Sequence, residues 1–300
     1  MYLKPGTVKY TNLYEVVDGT PRLNPFYLEL HPVDVQPINK YMLFKEYGFQ
    51  KYSIDEPTFR SITAFKHSPT YDQQLIDTIM DNIERSMSNW GKGQFIMDTT
   101  AIALDAVYRD TCKASKNLFT SIPLAHIDFD SFMHDKCMLD PFMDKWGVQL
   151  EKKLGKQVYD PKFWANGKKI VKICNVWISL TKGEITNHKL AVCDIRTVNE
   201  INVVPYIATR TVKETKDDFF GSRKPEFIAT ALKHDPENRW YCFENMKFGD
   251  AILFDSKNTP HGSVDNGSLD ERQSIECRVM FVRNSPEIPL GVRNKFYSLL

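Results

Sequence analysis

From Lys168 onward the chain repeats one pattern: short apolar, β-branched runs broken by Pro, Gly and Asn. Lys168–Leu180, Lys189–Ile195, Ile201–Thr211, Trp240–Phe243, Ala251–Phe254 and Ser274–Val282 each read as a strand. Such a series predicts two packed sheets or a closed one, a jelly roll or a barrel.

Upstream the signals are mixed. Residues 1–60 alternate short apolar runs with Pro and Gly, which predicts short strands and loops. Over Tyr71–Trp90, Leu75, Ile76, Ile79, Met80, Ile83 and Met87 recur at helical spacing. Thr70 or Asp72 is the expected cap of that helix, and Gly91–Gly93 its expected end. Asp98–Lys116 fits a second helix or a helix–strand pair. Ser131–Gly167 carries Phe132, Met138, Phe142 and Trp146 in a helical, loop-rich stretch that interrupts the strands. Two readings are open for it: a lid over a site, or a helix packed outside a sheet. Lys213–Lys224 is expected to be a mobile polar loop. The organisation expected is an N-terminal helix/strand region, 1–120, packed on a core of 121–300 with the insert at about 131–167, all in one folded unit.

Charge sets limits on partners. With 39 Lys+Arg against 38 Asp+Glu there is no electrostatic footprint for nucleic acid or an anionic membrane. No stretch approaches the roughly 20 apolar residues of a membrane span. The cysteines Cys112, Cys137, Cys174, Cys193, Cys242 and Cys277 form no C-x-x-C pair. The N-terminus has no apolar signal core, so reduced structural thiols in a cytoplasmic protein are expected.

Chemistry concentrates at two places. In Ala125–Ser131, His126 and Asp128 are two apart, so on a strand both side chains leave one face. Far downstream, Thr259-Pro-His261-Gly262 follows the apolar run that ends at Asp255. His-x-Asp with one distant His is the ligand set of a two-histidine, one-carboxylate facial triad for non-haem iron(II). The bland alternatives are a core histidine satisfied by Asp128 or Asp130, and a turn histidine before Gly262. Asp130 shares the proposed face and suits orientation of a ligand better than ligation.

Arg272-Gln-Ser274 stands eleven residues past His261. Arginine offers bidentate geometry to a carboxylate, and a hydroxyl two residues on shares its face. Arg278 is at an even offset from Arg272, so both fit one strand face; one of them could instead be a surface or ion-paired arginine, with Glu276 the same-face partner. Asn175 and Trp177 fall in a strand expected to be buried, where an Asn needs hydrogen bonds. An edge-strand Asn is the alternative.

These motifs together resemble a family of 2-oxoglutarate-dependent oxygenases that includes the cephamycin-pathway hydroxylase, fungal gibberellin-desaturase-like enzymes and the aspergillic-acid hydroxylase. The resemblance rests on His126-Ile-Asp128, Asn175-Val-Trp177-x-x-Leu180, Leu190-Ala-Val-Cys-Asp194, Asn238-Arg-Trp-Tyr241, Thr259-Pro-His261 and Arg272-Gln-Ser-Ile-Glu-Cys-Arg278. It covers roughly Ala125–Val282. Gln273 stands where the family shows Glu, and Gly262-Ser263 replaces a Thr-Ala-like pair. It implies a mainly β fold with flanking helices around a double-stranded β-helix, the jelly-roll or cupin-like core. It also implies iron(II) on His126, Asp128 and His261, with 2-oxoglutarate and O2 as co-substrates. Arg272 and Ser274 would take the distal carboxylate, with Arg278 a second candidate for either carboxylate; Asn175, read from its buried strand, could position the co-substrate or a water. The implied reaction is hydroxylation or desaturation of an unactivated C–H in a small molecule of specialised metabolism. Asp128, in place of Gly or Ala, argues against a halogenase of this class. Two other readings stay open: a cupin-type iron oxygenase or isomerase without 2-oxoglutarate, and a metal-free jelly-roll binding protein.

Overall fold

The computed structural model describes residues 34–68, 72–95, 98–111, 124–128, 146–164, 170–209, 226–264 and 270–284, with the backbone of short strands at 2–3, 14–17, 20–23 and 28–29. The expected loop at 213–224, Asp130, and 131–145 and 165–167 of the insert lie outside the described residues.

At the N-terminus, β1 (Tyr2–Leu3) pairs with β4 (Leu28–Glu29), and β2 (Tyr14–Val17) with β3 (Thr20–Leu23). Two large sheets follow. The five-stranded sheet has the order β6 (Phe49–Tyr52), β14 (Ala251–Asp255), β9 (Ile170–Ser179), β16 (Gln273–Arg283), β7 (Thr99–Asp110). The seven-stranded sheet runs β11 (Val203–Thr209), β12 (Glu226–Leu232), β8 (His126–Ile127), β15 (His261–Val264), β10 (Lys189–Cys193), β13 (Trp240–Cys242), β5 (Val35–Pro37). All pairs in these two sheets are antiparallel except β13–β5. The fold is a jelly-roll core with flanking helices. Strands β5, β6 and β7, from the first 120 residues, are part of its two sheets.

Strand alternation sorts the five-stranded sheet into two faces. Cys174, Val176, Ile178, Ile275, Cys277, Val279 and Phe281 face outward and pack against α2 (Glu56–Lys66) and α3 (Gln73–Gln94) through Ile62, Phe65, Ile76, Ile79, Ile83 and Met87. Trp177, Ile252 and Phe254 face inward and meet Leu190 and Val192 of the other sheet. The helical stretch α4 (146–154) and α5 (Pro161–Trp164) supply Trp146, Leu150 and Trp164, which close on Ile102, Leu104, Ile173 and Met280.

Three details differ from the sequence reading. Helix α1 (Phe44–Tyr47) and the first turn of α2 fall in the stretch expected to hold strands and loops; Asp55 caps α2 by accepting from Thr58 N at 3.0 Å, and Pro57 sits in its first turn. Helix α3 starts after Asp72 as expected but runs through Gly91 to Gln94. Gly91 lies inside the helix where Phe281 packs on it, and a Cβ there would stand 2.5 Å from the ring. The ambiguous stretch after Asp98 is the long strand β7, mostly buried along its length and therefore without a polar face to reveal its period.

Candidate metal centre and anion pocket

The two histidines come from adjacent strands. His126 of β8 and His261 of β15 are direct register partners, with ring centroids 4.3 Å apart. Their close approach depends on Gly262: a Cβ there would meet the Leu124 carbonyl oxygen at 3.2 Å. The β14–β15 loop is fixed from several sides. Asp255 accepts from Lys257 N at 3.0 Å, from the Asn258 side chain at 2.7 Å and from Lys172 Nζ at 2.7 Å. Thr259 Oγ1 donates to the carbonyl of Gly48 at 3.0 Å, and Gly48 has a φ of 84°, where a side chain would strain the backbone.

Each ring is oriented by its own chain. His126 Nδ1–H donates to Leu124 O at 2.8 Å, and His261 Nδ1–H to Thr259 O at 3.2 Å. That leaves both Nε2 lone pairs for a ligand. Both Nε2 atoms face Asp128 Oδ1, at 3.6 Å from His126 and 3.8 Å from His261. One ligand atom from each residue falls within a 4.8 Å span. A first-row ion about 2.1 Å from each donor separates adjacent donors by about 3 Å, so a small inward shift completes the set. Asp128 itself lies in a bend just after β8.

Burial keeps His126 neutral, pulling its pKa down to about 4, with the neighbouring His261 adding to the effect. Burial likewise lowers His261. For Asp128, burial opposes ionisation, but Arg278, the two histidines and the Asn175 bond outweigh it and hold the carboxyl well below its usual range. Two neutral imidazoles and one carboxylate are the protonation states that bind a metal.

The far oxygen of Asp128 is occupied. Asn175 Nδ2 donates to Oδ2 at 2.6 Å and Arg278 Nε at 3.3 Å, so Oδ1 is the free ligand atom. Ser256 donates its hydroxyl to Asn175 Oδ1, which turns the Asn175 amide toward Asp128. Arg278 also reaches Asp105 at 3.2 Å and Glu276 at 3.3 Å. Its guanidinium is thus shared among three carboxylates.

Arg272 is placed differently. It is 2% exposed, its guanidinium lies 5.3 Å from the centre of the Trp177 ring, and Nη1 donates to the His188 carbonyl at 2.5 Å. Among the described residues, its Nε has no hydrogen-bond partner, nor has the buried hydroxyl of Ser274. Buried donors without acceptors are costly and call for an account. Burial, with Arg109 next, lowers the Arg272 pKa to about 9. The structure therefore gathers His126, Asp128, His261, Asn175 and Arg278 in one cluster, while Arg272, Ser274 and Trp177 form a second group. Sequence reasoning did not single out Ser256, Asp105 or Arg109; the unresolved period of β7 hid the last two.

A family described as an oxidoreductase/YMDC permease-like domain matches residues 144–282. No described helix is long and apolar enough to cross a membrane. A comparison with curated proteins finds no match. Among solved structures, the chain is similar to an iron and alpha-ketoglutarate-dependent endoperoxidase, NvfI, at 13% identity, covering 95% of this chain and 96% of that one with a TM-score of 0.63. A second conformation of the same enzyme gives 13% identity, the same coverage and a TM-score of 0.64. This chain shares their fold. At that identity nothing more passes between them, so its chemistry rests on its own residues.

Proposed function

We propose that the chain is an iron(II)- and 2-oxoglutarate-dependent oxygenase acting on a small molecule in natural-product metabolism. One pairing carries the reading: a set of metal ligands with free lone pairs, and an arginine and serine with buried donors lacking an acceptor, in the same jelly roll. His126, Asp128 and His261 would hold the iron. Arg272 and Ser274 would hold the distal carboxylate of 2-oxoglutarate by charge-assisted hydrogen bonds. Iron and 2-oxoglutarate together would supply the activation of O2 that oxidises an otherwise unreactive C–H bond, giving a hydroxylated or desaturated product.

The chain's own residues do the rest. The Leu124 and Thr259 carbonyls keep the Nδ1 protons in place, so the imidazoles ligate through Nε2. Asn175 and Arg278 hold Asp128 to one ligating oxygen, which leaves coordination positions for a chelating co-substrate. Trp177 and the apolar inner core exclude water around Arg272, which strengthens its pairing with a carboxylate.

Anaerobic protein titrated with iron(II) and then 2-oxoglutarate tests the reading. A visible charge-transfer band that requires both additions, and is absent in His261→Ala, is the expected result. Iron binding without the band points to a cupin-type oxygenase that does not use 2-oxoglutarate. No iron binding by the wild-type protein overturns the proposal and leaves a binding protein.

A further inference from the structure

Among the described residues, Arg109, Arg272 and Arg278 are buried and face the interior from the β7–β16 side of the five-stranded sheet. Arg278 is matched by its three carboxylates. Arg109 is the direct register partner of Ser274 across β7–β16. Directly opposed residues on paired strands share a face, so Arg109 leaves the sheet beside the Ser274 hydroxyl. The next pair, Asp110 and Gln273, leaves the other face. There Gln273 Nε2 and the Tyr108 hydroxyl both donate to Asp110 Oδ2, at 2.8 Å and 3.0 Å.

Arg272 belongs to the same ladder. Thr111 N donates to the Arg272 carbonyl at 3.0 Å, and Arg272 N donates to Thr111 Oγ1 at 2.7 Å. Arg109 and Arg272 are therefore diagonal neighbours around Ser274, a spacing of about 7–8 Å that long side chains readily span. Arg109 is among the influences that lower Arg272. A carboxylate held between two guanidinium groups is paired with both by charge-assisted hydrogen bonds.

We propose that Arg109 is a second arginine of the 2-oxoglutarate site, converging with Arg272 and Ser274 on the distal carboxylate. This rests on the 2-oxoglutarate reading above. It makes Arg109 a specificity residue: it selects a 2-oxo acid that carries a far carboxylate and is indifferent to the 2-oxo acid end.

The test compares two ligands on iron-loaded, anaerobic protein, each titrated by its charge-transfer band. One is 2-oxoglutarate. The other is 2-oxopentanoate, of the same carbon count with a methyl in place of the far carboxylate. Arg109→Gln is expected to weaken 2-oxoglutarate about ten-fold or more and to leave 2-oxopentanoate unchanged. Arg109→Lys, which keeps the charge and the packing stem, is expected to restore part of the loss and serves if Arg109→Gln does not fold. Equal weakening of both ligands, or no change in 2-oxoglutarate, overturns the assignment of Arg109 while leaving the co-substrate reading intact. Absence of any band in the wild-type protein removes both together.

Discussion

The two halves of the site are finished to different degrees. Around His126, Asp128 and His261 the Nδ1 protons and the second carboxylate oxygen already have protein partners. What remains open is electron-rich: two Nε2 lone pairs and Asp128 Oδ1. Around Arg272 and Ser274 what remains open is electron-poor, an N–H and an O–H without acceptors. One end waits for a cation and the other for an anion. A ligand that chelates a metal through one end and carries a carboxylate at the other satisfies both deficits at once.

The sharpest way to break this contrast is at the metal end. Asp128→Ala should abolish iron binding and turnover while leaving the far-ultraviolet spectrum and the fold unchanged. Turnover at the wild-type rate would remove Asp128 from the ligand set. At the anion end, Arg272→Gln should raise the 2-oxoglutarate requirement about a hundred-fold, as expected when a buried charge-assisted pair loses its cation. If Arg278→Gln does this and Arg272→Gln does not, the roles of the two arginines are exchanged. Asn175→Ala frees Asp128 Oδ2 and should weaken iron about 10- to 100-fold, the usual cost of losing a group that orients a ligand. Isothermal titration would read it, and an unchanged iron affinity would show that Arg278 alone suffices. Ser274→Ala removes one neutral donor and should cost 2-oxoglutarate about ten-fold at most.

A separate effect concerns pH and the metal-free protein. His126 has a folded pKa of about 4, below the ordinary histidine value of 6.5. Between these values the unfolded chain binds the extra proton and the folded chain does not. Stability is therefore fully present above pH 6.5, falls as pH drops through that window, and levels off below pH 4, for a total of about 3 kcal/mol. Thermal denaturation of metal-free protein from pH 7 to 4 would read the slope. His126→Asn should make it shallower, leaving the share of His261, whose pKa burial also lowers, and an equally steep slope in that variant would assign it elsewhere.

Much of the β core was legible because its strands alternate or are unbroken apolar runs: Ile170–Ser179 and Gln273–Arg283 lie where the pattern put them. The seven-stranded sheet was harder to read. Strand β8 is two residues long and has no period, so its pairing with β15 and β12 comes from tertiary contact alone. The residues His126, Asp128 and His261 stood out by chemistry, since their types and spacing are rare in combination. Partners such as Ser256 and Arg109 did not, because an isolated serine or arginine looks the same whether it faces solvent or a buried ligand. Helix α2 did leave a signal, Asp55 with Pro57 and Thr58, which is a capping pattern hidden inside a Pro-rich stretch.

The shortness of β8 has a last consequence. Two residues of ladder are a weak hold on a central strand, yet among the described residues it is β8 that joins β12 to β15 in the sheet. An ion shared by His126 and His261 would act as a rivet between segments far apart in the chain, closing a long loop that backbone hydrogen bonds alone secure poorly. Amide hydrogen exchange at Ile127 and Gly262 should then slow on loading with iron, while exchange in the helix-backed β9 and β16 stays as it was.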